Sequence, residues 1–261
     1  MLCAWRFACS LLSAEANVDS GFYAACAGLR AQTQALEVAA HNVANVNTPG
    51  FRGERTTFQS LLAFSRPTIS NAFNLATNNY GVLEGTRVDL NQGSLTPTGN
   101  RLDLGIEGTG FFSIQTARGV RYTRNGSFQV ARTGELVTSA GDRVLGDTGV
   151  IRVPQGAVAV SADGTLSVGG TVAGRIRVVD FPAGTKLTAE GNTLFSAPAG
   201  SEQSAQHASL RQGSLESSNV SPIDAIASLI GVQREAEMLG RAMTLMDTVF
   251  NHTAASELAK V

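Results

Sequence analysis

Two amphipathic stripes with a seven-residue repeat stand at opposite ends of this 261-residue chain and bracket a middle that has no helical period. Phe22, Leu29, Leu36 and Val43 recur every seventh position. Ala25, Ala39 and Val46 take the complementary places, with Gln32 as the polar exception. That spacing keeps one apolar seam on a helix and is the pattern of coiled-coil packing. The second stripe runs through Leu229, Val232, Ala236, Leu239, Met243, Met246, Phe250 and Thr253, in gaps that alternate three and four. Arg234, Glu235, Glu237, Arg241 and Asp247 fall off its seam. Alanines crowd the first stripe (Ala24, Ala27, Ala31, Ala35, Ala40, Ala44), so a partner can approach it closely on more than one side.

The ends of these helices are marked. Asn47-Thr48-Pro49-Gly50 stacks turn formers on a helix breaker and stops the first. Ser221 and Pro222 supply an N-cap and a first helical residue for the second, with Asp224 near its positive end. Between the helices, from Asp103 to about Phe195, short apolar or alternating runs are broken by glycines. They include Gly110-Phe111-Phe112-Ser113-Ile114, Val120–Thr123, Phe128–Val130, Val150–Val153 and Ile176–Val179. Asn125-Gly126, Asp163-Gly164 and Gly169-Gly170 read as hairpin turns, which predicts an antiparallel β-rich domain. The expected fold class is α+β, with the terminal helices packed together around the ends of a central β-domain. The boundaries are 18–50 for the first helix, 51–80 for a connector, 81–215 for the β-domain and 216–261 for the last helix. Residues 1–17 fit neither a signal peptide nor the seam, because Glu15 falls where an apolar residue is needed. We expect translation to begin at Val18.

Composition narrows the function. The net charge of −1 lacks the basic excess of a nucleic-acid binder. The cysteines, Cys3, Cys9 and Cys26, all lie near the start and cannot staple the body of the chain. No apolar run approaches the roughly 20 residues that span a bilayer, so no integral membrane segment is expected. His41, His207 and His252 lack the spacing of metal ligands. The segment 105–110 carries glycines in the wrong order for a phosphate loop, and no nucleophile elbow occurs. The acidic pairs Asp103 with Glu107, and Asp89 with Glu84, are the commonplace of a chain with 21 carboxylates. No enzyme, cofactor or metal is expected. A lone two-helix hairpin buries too little of the two stripes, and unburied stripes mark partner sites. Head-to-tail contacts that do not close make a helical filament, which gives terminal helices of this kind a place in its wall. The alternative of another class is a secreted β-rich binding module, which leaves the terminal stripes without a role.

One six-residue segment occurs twice. Leu90-Asn91-Gln92-Gly93-Ser94-Leu95 precedes the β-domain, and Leu210-Arg211-Gln212-Gly213-Ser214-Leu215 precedes the last helix. Two readings stand: convergent turn chemistry, or two segments doing similar jobs side by side.

A series of motifs opens with Asp19–Ala25, Gly28–Gln32 and His41–Phe51, with Asn42, Asn45, Asn47, Thr48, Gly50 and Phe51 at its centre. It continues through Gln92 and Gly93, Gly99 and Asn100, Gly108–Phe112 and Tyr122–Phe128, and ends on Gln212, Gly213, Glu216 and Asn219. In this order the motifs resemble those of the bacterial flagellar rod and hook proteins. The resemblance implies a non-enzymatic subunit exported by the flagellar type III apparatus without a cleaved signal peptide. It implies assembly in the periplasm, with copies of itself and other rod proteins, into a hollow shaft that carries torque from motor to hook. It makes the stripe residues Phe22, Leu29, Leu36, Val43, Val46, Leu229, Val232, Leu239, Met243, Met246 and Phe250 the candidate subunit interface. Within the family, the opening Asp19–Tyr23 and the divergent end after Asp247 stand nearer the proximal than the distal rod subunits.

Overall fold

A computed structural model describes residues 28–59, 82–191 and 193–258. The expected start at Val18, the segment 1–17 and residues 60–80 of the expected connector lie outside the described residues. The chain divides into two compact units. One takes Met1–His41, Thr56–Thr86 and Ile223–Val261; the other takes Asn42–Arg55 and Arg87–Pro222. The architecture is α+β, as the sequence indicates.

Helix α1 covers 28–44 and gives way to a turn at the Asn45–Gly50 breaker. There the Thr48 amide donates to the Asn45 carbonyl at 3.1 Å, and Gly50 takes a φ of 68°. Helix α2, Pro222–Leu258, is 37 residues long, about 55 Å at 1.5 Å per residue. It starts at the proline, whose missing N–H costs nothing at a first helical position, and carries Asp224 in its first turn. A two-stranded ribbon pairs Glu54–Gln59 with Val82–Val88.

The β-rich unit is organised by one strand, Phe111–Thr116. Phe111, Phe112, Ser113 and Ile114 are all buried, although consecutive strand residues point to opposite faces. Both faces are therefore covered. Phe112 and Ile114 enter a cluster with Leu104, Ile106, Phe128, Leu136 and Val144, while Phe111 enters one with Tyr122, Val179, Leu187 and Phe195. Phe112 meets Phe128 edge to face at 5.0 Å between centroids. This strand lies antiparallel between Gly119–Thr123 and Arg143–Gly146 and also pairs with Val178–Asp180.

Two of the three hairpin signals form hairpins. Gly169 and Gly170 turn Thr165–Val168 into Thr171–Arg175, both at positive φ (58° and 88°), the requirement of a two-residue type I′ loop. Asp163-Gly164 lies in the turn between Val158–Val160 and Thr165–Val168. Asn125-Gly126 does not make a hairpin. Gly119–Thr123 pairs with Phe111–Thr116 and Leu194–Ser196, whereas Phe128–Val130 pairs with Leu136–Thr138. The glycine is needed there for close approach. The Leu104 amide donates to the Gly126 carbonyl at 3.0 Å, and a Cβ on Gly126 would lie 1.7 Å from the Leu104 carbonyl oxygen. The expected strand Val150–Val153 is also shorter, since only Gly149–Val150 pairs as a strand while Ile151 and Val153 pack into the core.

Gly126→Ala must force two backbones apart, so it is expected to lower stability by about 3 kcal/mol, the upper end of overpacking costs. Urea unfolding checks this, and a loss below about 1 kcal/mol would show that the crossing relaxes without strain.

Candidate assembly site

Burial along the two helices is uneven. On α1, Leu29, Leu36 and Val43 are half-buried and Ala35 and Ala39 buried, while Arg30, Thr33, Gln34 and Glu37 are exposed. Val46 is half-buried in the turn that follows. On α2, Leu229, Val232, Ala236, Leu239 and Met243 are half-buried, and Arg234, Glu235, Glu237 and Arg241 are exposed. Gln32, the polar exception in the first stripe, donates from Nε2 to Glu235 Oε2 at 3.0 Å. Phe22 lies outside the described residues, as do the side chains of Met246 and Phe250.

A second apolar face on α2 was not singled out from the sequence. At 100° per residue, Ile223, Ile226, Ile230, Met238 and Leu245 fall on the side opposite the half-buried stripe. They stand well exposed, at 80% for Ile223, 62% for Met238 and 66% for Leu245. Arg234, Glu237 and Arg241 stand on the same side, so the exposed apolar residues there are interleaved with charges.

The motif residues converge in the β-rich unit. Asn42 takes the place of a strand neighbour to Glu54, accepting its amide at 2.9 Å and donating to its carbonyl at 2.7 Å. Asn219 accepts the Gly53 amide at 2.7 Å and donates to the carbonyls of Asp89 and Asn91 at 2.9 and 3.0 Å. Gly50 donates its amide to the Glu216 carbonyl at 2.7 Å. Its φ and the Asn125 amide, 2.3 Å from where a Cβ would lie, both demand glycine. Thr48 donates from its hydroxyl to Asn45 Oδ1 at 3.2 Å, Phe51 is buried, and Asn47 is exposed in the turn.

The repeated segments run into two strands that pair antiparallel, Leu95–Pro97 and Ser214–Glu216, in a register that sets no residue of one repeat opposite a residue of the other. Leu210–Gln212 pairs instead with Leu104–Ile106. Each repeat's glutamine spends its amide on main chain. Gln92 donates to the Ile106 carbonyl at 2.7 Å and accepts the Gly108 amide at 3.1 Å. Gln212 donates to the carbonyls of Arg101 and Val158 at 2.8 and 3.1 Å and accepts the Val160 amide at 3.2 Å. The glycines behave alike: Gly93 donates to Glu216 Oε1 at 2.9 Å, and Gly213 donates to the Asp103 carbonyl at 2.8 Å. Asn100 and Thr98 hold the Asp103 carboxylate at 3.0 and 2.6 Å, and the Gly99 amide donates to the Gly213 carbonyl at 3.2 Å.

At the centre is a buried charge cluster that the sequence reading had not assigned. Glu216, 1% exposed, receives Arg52 Nη2 on Oε1 at 2.6 Å and Arg124 Nη1 on Oε2 at 3.1 Å. Arg52 also donates from Nη1 to the Asn91 carbonyl. Arg124 donates from Nη2 to the Gly108 carbonyl at 2.8 Å and stacks its guanidinium over Phe111 at 5.3 Å. Burial pulls both guanidiniums down from their ordinary value, Arg124 to about 10, against the attraction of Glu216. Arg52 adds to the lowering at Arg124, because two cations share one carboxylate.

Two of the carboxylates in the acidic pairs, Asp103 and Asp89, have structural work. Asp103 is buried among Thr98 and Asn100, and Asp89 pairs with Arg55 at 2.7 Å. Among the described residues, no group of three or more His, Cys, Asp or Glu could hold a metal ion. No described helix is long and apolar enough to cross a membrane.

Comparison with known proteins accounts for this combination of twin helices and a motif-rich junction. The family described as "Flagella basal body rod protein" matches residues 22–52. "Flagellar hook protein FlgE/F/G D1 domain" matches 105–168, and "Flagellar basal body rod FlgEFG protein C-terminal" matches 211–254. The flagellar basal-body rod protein FlgF of Caulobacter vibrioides is 33% identical over 234 residues, 87% of this chain and 93% of the relative. FlgF of Salmonella typhimurium is 32% identical, over 88% of this chain and 95% of the relative. FlgG of Bacillus subtilis is likewise 32% identical, over 87% and 95%. The chain belongs to the flagellar basal-body rod protein family. It is a structural subunit of the basal-body rod, of the FlgF or FlgG kind.

In this rod protein, Asn219 ties together the main chain of three segments. Asn219→Ala leaves the Gly53 amide without its acceptor and is expected to destabilise the β-rich unit by about 2 kcal/mol. Urea unfolding by circular dichroism checks this, and a loss below about 0.5 kcal/mol would show that the Gly53 amide finds another acceptor.

Proposed function

We propose that the subunit polymerises through its terminal helices into the hollow drive shaft, where it carries torque from the motor towards the hook. The observation that carries this reading is the set of large apolar residues that α2 leaves exposed opposite its half-buried stripe. A two-helix hairpin covers the stripe, and side chains as exposed as Ile223, Met238 and Leu245 are available to a further helix. Neighbouring copies and other rod proteins supply such helices. Rigid helices packed side by side along the shaft resist torsion, and the β-rich unit forms an outer layer. The heptad residues Leu29, Leu36, Val43, Val46, Leu229, Val232, Leu239 and Met243 then form the inner seam, continued by Phe22, Met246 and Phe250.

Export by the flagellar type III system to the periplasmic rod, without a cleaved signal, goes with this reading. So does a proximal place in the shaft, supported by the opening Asp19–Tyr23 and the divergence after Asp247. No catalytic step is part of this function.

Charge placed in a desolvated helix interface is costly unless paired, by several kcal/mol. Leu36→Asp and Met243→Asp are therefore expected to abolish motility and incorporation into basal bodies, with the β-rich unit still folded. Met238→Asp, on the exposed face, should do the same while leaving monomer stability within about 0.5 kcal/mol of the wild type, as for other surface changes. Swimming assays and isolated basal bodies give the readout, and normal motility in all three variants would contradict the interface.

A further inference from the structure

Unit closure in the β-rich part depends on residues that come late in the chain. Glu216 lies 92 positions after Arg124, and Asn219 lies 166 positions after Gly53. Until this segment is present, Arg52 and Arg124 lack the carboxylate that both contact, with only Asp89 and Asp180 acting on them from beyond contact distance, and the amides of Gly50, Gly53 and Gly93 lack the acceptors Glu216 and Asn219 provide. Packing the remaining chain would then bury two cations with no counter-ion in contact and leave main-chain donors unmet. Each is among the most unfavourable acts in folding. The cations are placed to make this matter: Arg52 is 1% and Arg124 3% exposed. A neutral pair of apolar side chains would pack there without waiting for any partner, since replacing a buried ion cluster by apolar groups is often neutral or stabilising.

We propose that the Arg52–Glu216–Arg124 cluster is a folding checkpoint, which holds the β-rich unit open until residues 214–219 are available and closes it when Glu216 seats between the two guanidiniums. A chain still lacking its last stretch stays extended, while a complete one closes in a single step. The checkpoint rests on this unit's geometry and is independent of the assembly reading.

Seating at the checkpoint belongs to the barrier of closure, so its loss must appear in the folding rate and not in the unfolding rate. Refolding and unfolding of the full chain are followed by stopped-flow circular dichroism for the wild type, Glu216→Gln and the apolar triple variant R52M/R124M/E216L. The expected result is refolding at least tenfold slower in Glu216→Gln, with unfolding within threefold of wild type. The triple variant, which removes both cations but leaves the Gly93 amide unmet, should refold faster than Glu216→Gln. Refolding of Glu216→Gln within threefold of wild type, with its instability expressed as faster unfolding, would overturn the proposal. Should Glu216→Gln not fold, the triple variant carries the test: a triple variant that folds assigns the failure to the two unpaired cations, and one that also fails to fold would overturn the checkpoint.

Discussion

Glu216 sits in the β-rich unit with both oxygens engaged by arginines from distant parts of the chain and its carbonyl taken by Gly50. Its side chain also takes the amide of Gly93, and Asn219, three positions on, takes that of Gly53. Segments around residues 52, 91, 124 and 216 are in this way fixed to one another through a single buried carboxylate and one amide. A charge so deeply enclosed is tolerable only because every neighbour was placed to receive it. The paired strands that the repeats run into and the Gln92 and Gln212 clamps continue the same pattern outward, with side-chain amides standing in for main-chain partners where the chain is irregular.

The helices pose the opposite problem. Here the excess is apolar surface: Ile223, Ile226, Ile230, Met238 and Leu245 of α2 stay open to solvent. In the proposed assembly, the hydrophobic surface that a monomer leaves uncovered is what drives association with neighbouring subunits. The β-rich unit, by contrast, buries apolar residues on both faces of the Phe111–Thr116 strand.

Much of this was legible in the residues. Period alone marked both helices and their ends, because amphipathic spacing and breakers such as Pro49 and Pro222 act within a few residues. The hairpins at Gly164 and Gly169-Gly170 were legible for the same reason. Asn125-Gly126 misled because the dipeptide states only that the chain turns easily there, whereas the glycine is required by a Leu104 carbonyl from a different strand. Asn42, Gln92, Gln212 and Asn219 were visible as a pattern, yet nothing local tells which amides they satisfy. Arg52, Arg124 and Glu216 were the hardest to see. Charged residues beside glycine and asparagine look like exposed turn positions, and only the fold brings the three together. The outer face of α2 was missed because the heptad stripe draws attention to one side, and an apolar face carrying Arg234, Glu237 and Arg241 among its members resembles an ordinary solvated surface.

The central claim, that this subunit is a structural part of the rod, is tested most directly by deleting its gene in frame in the source bacterium and imaging the cell envelope by cryo-tomography. Motors that stop before a complete rod are expected, with the height of the truncated shaft placing the subunit as proximal or distal. Complete rods bearing hooks and filaments in the deletion strain would contradict the role.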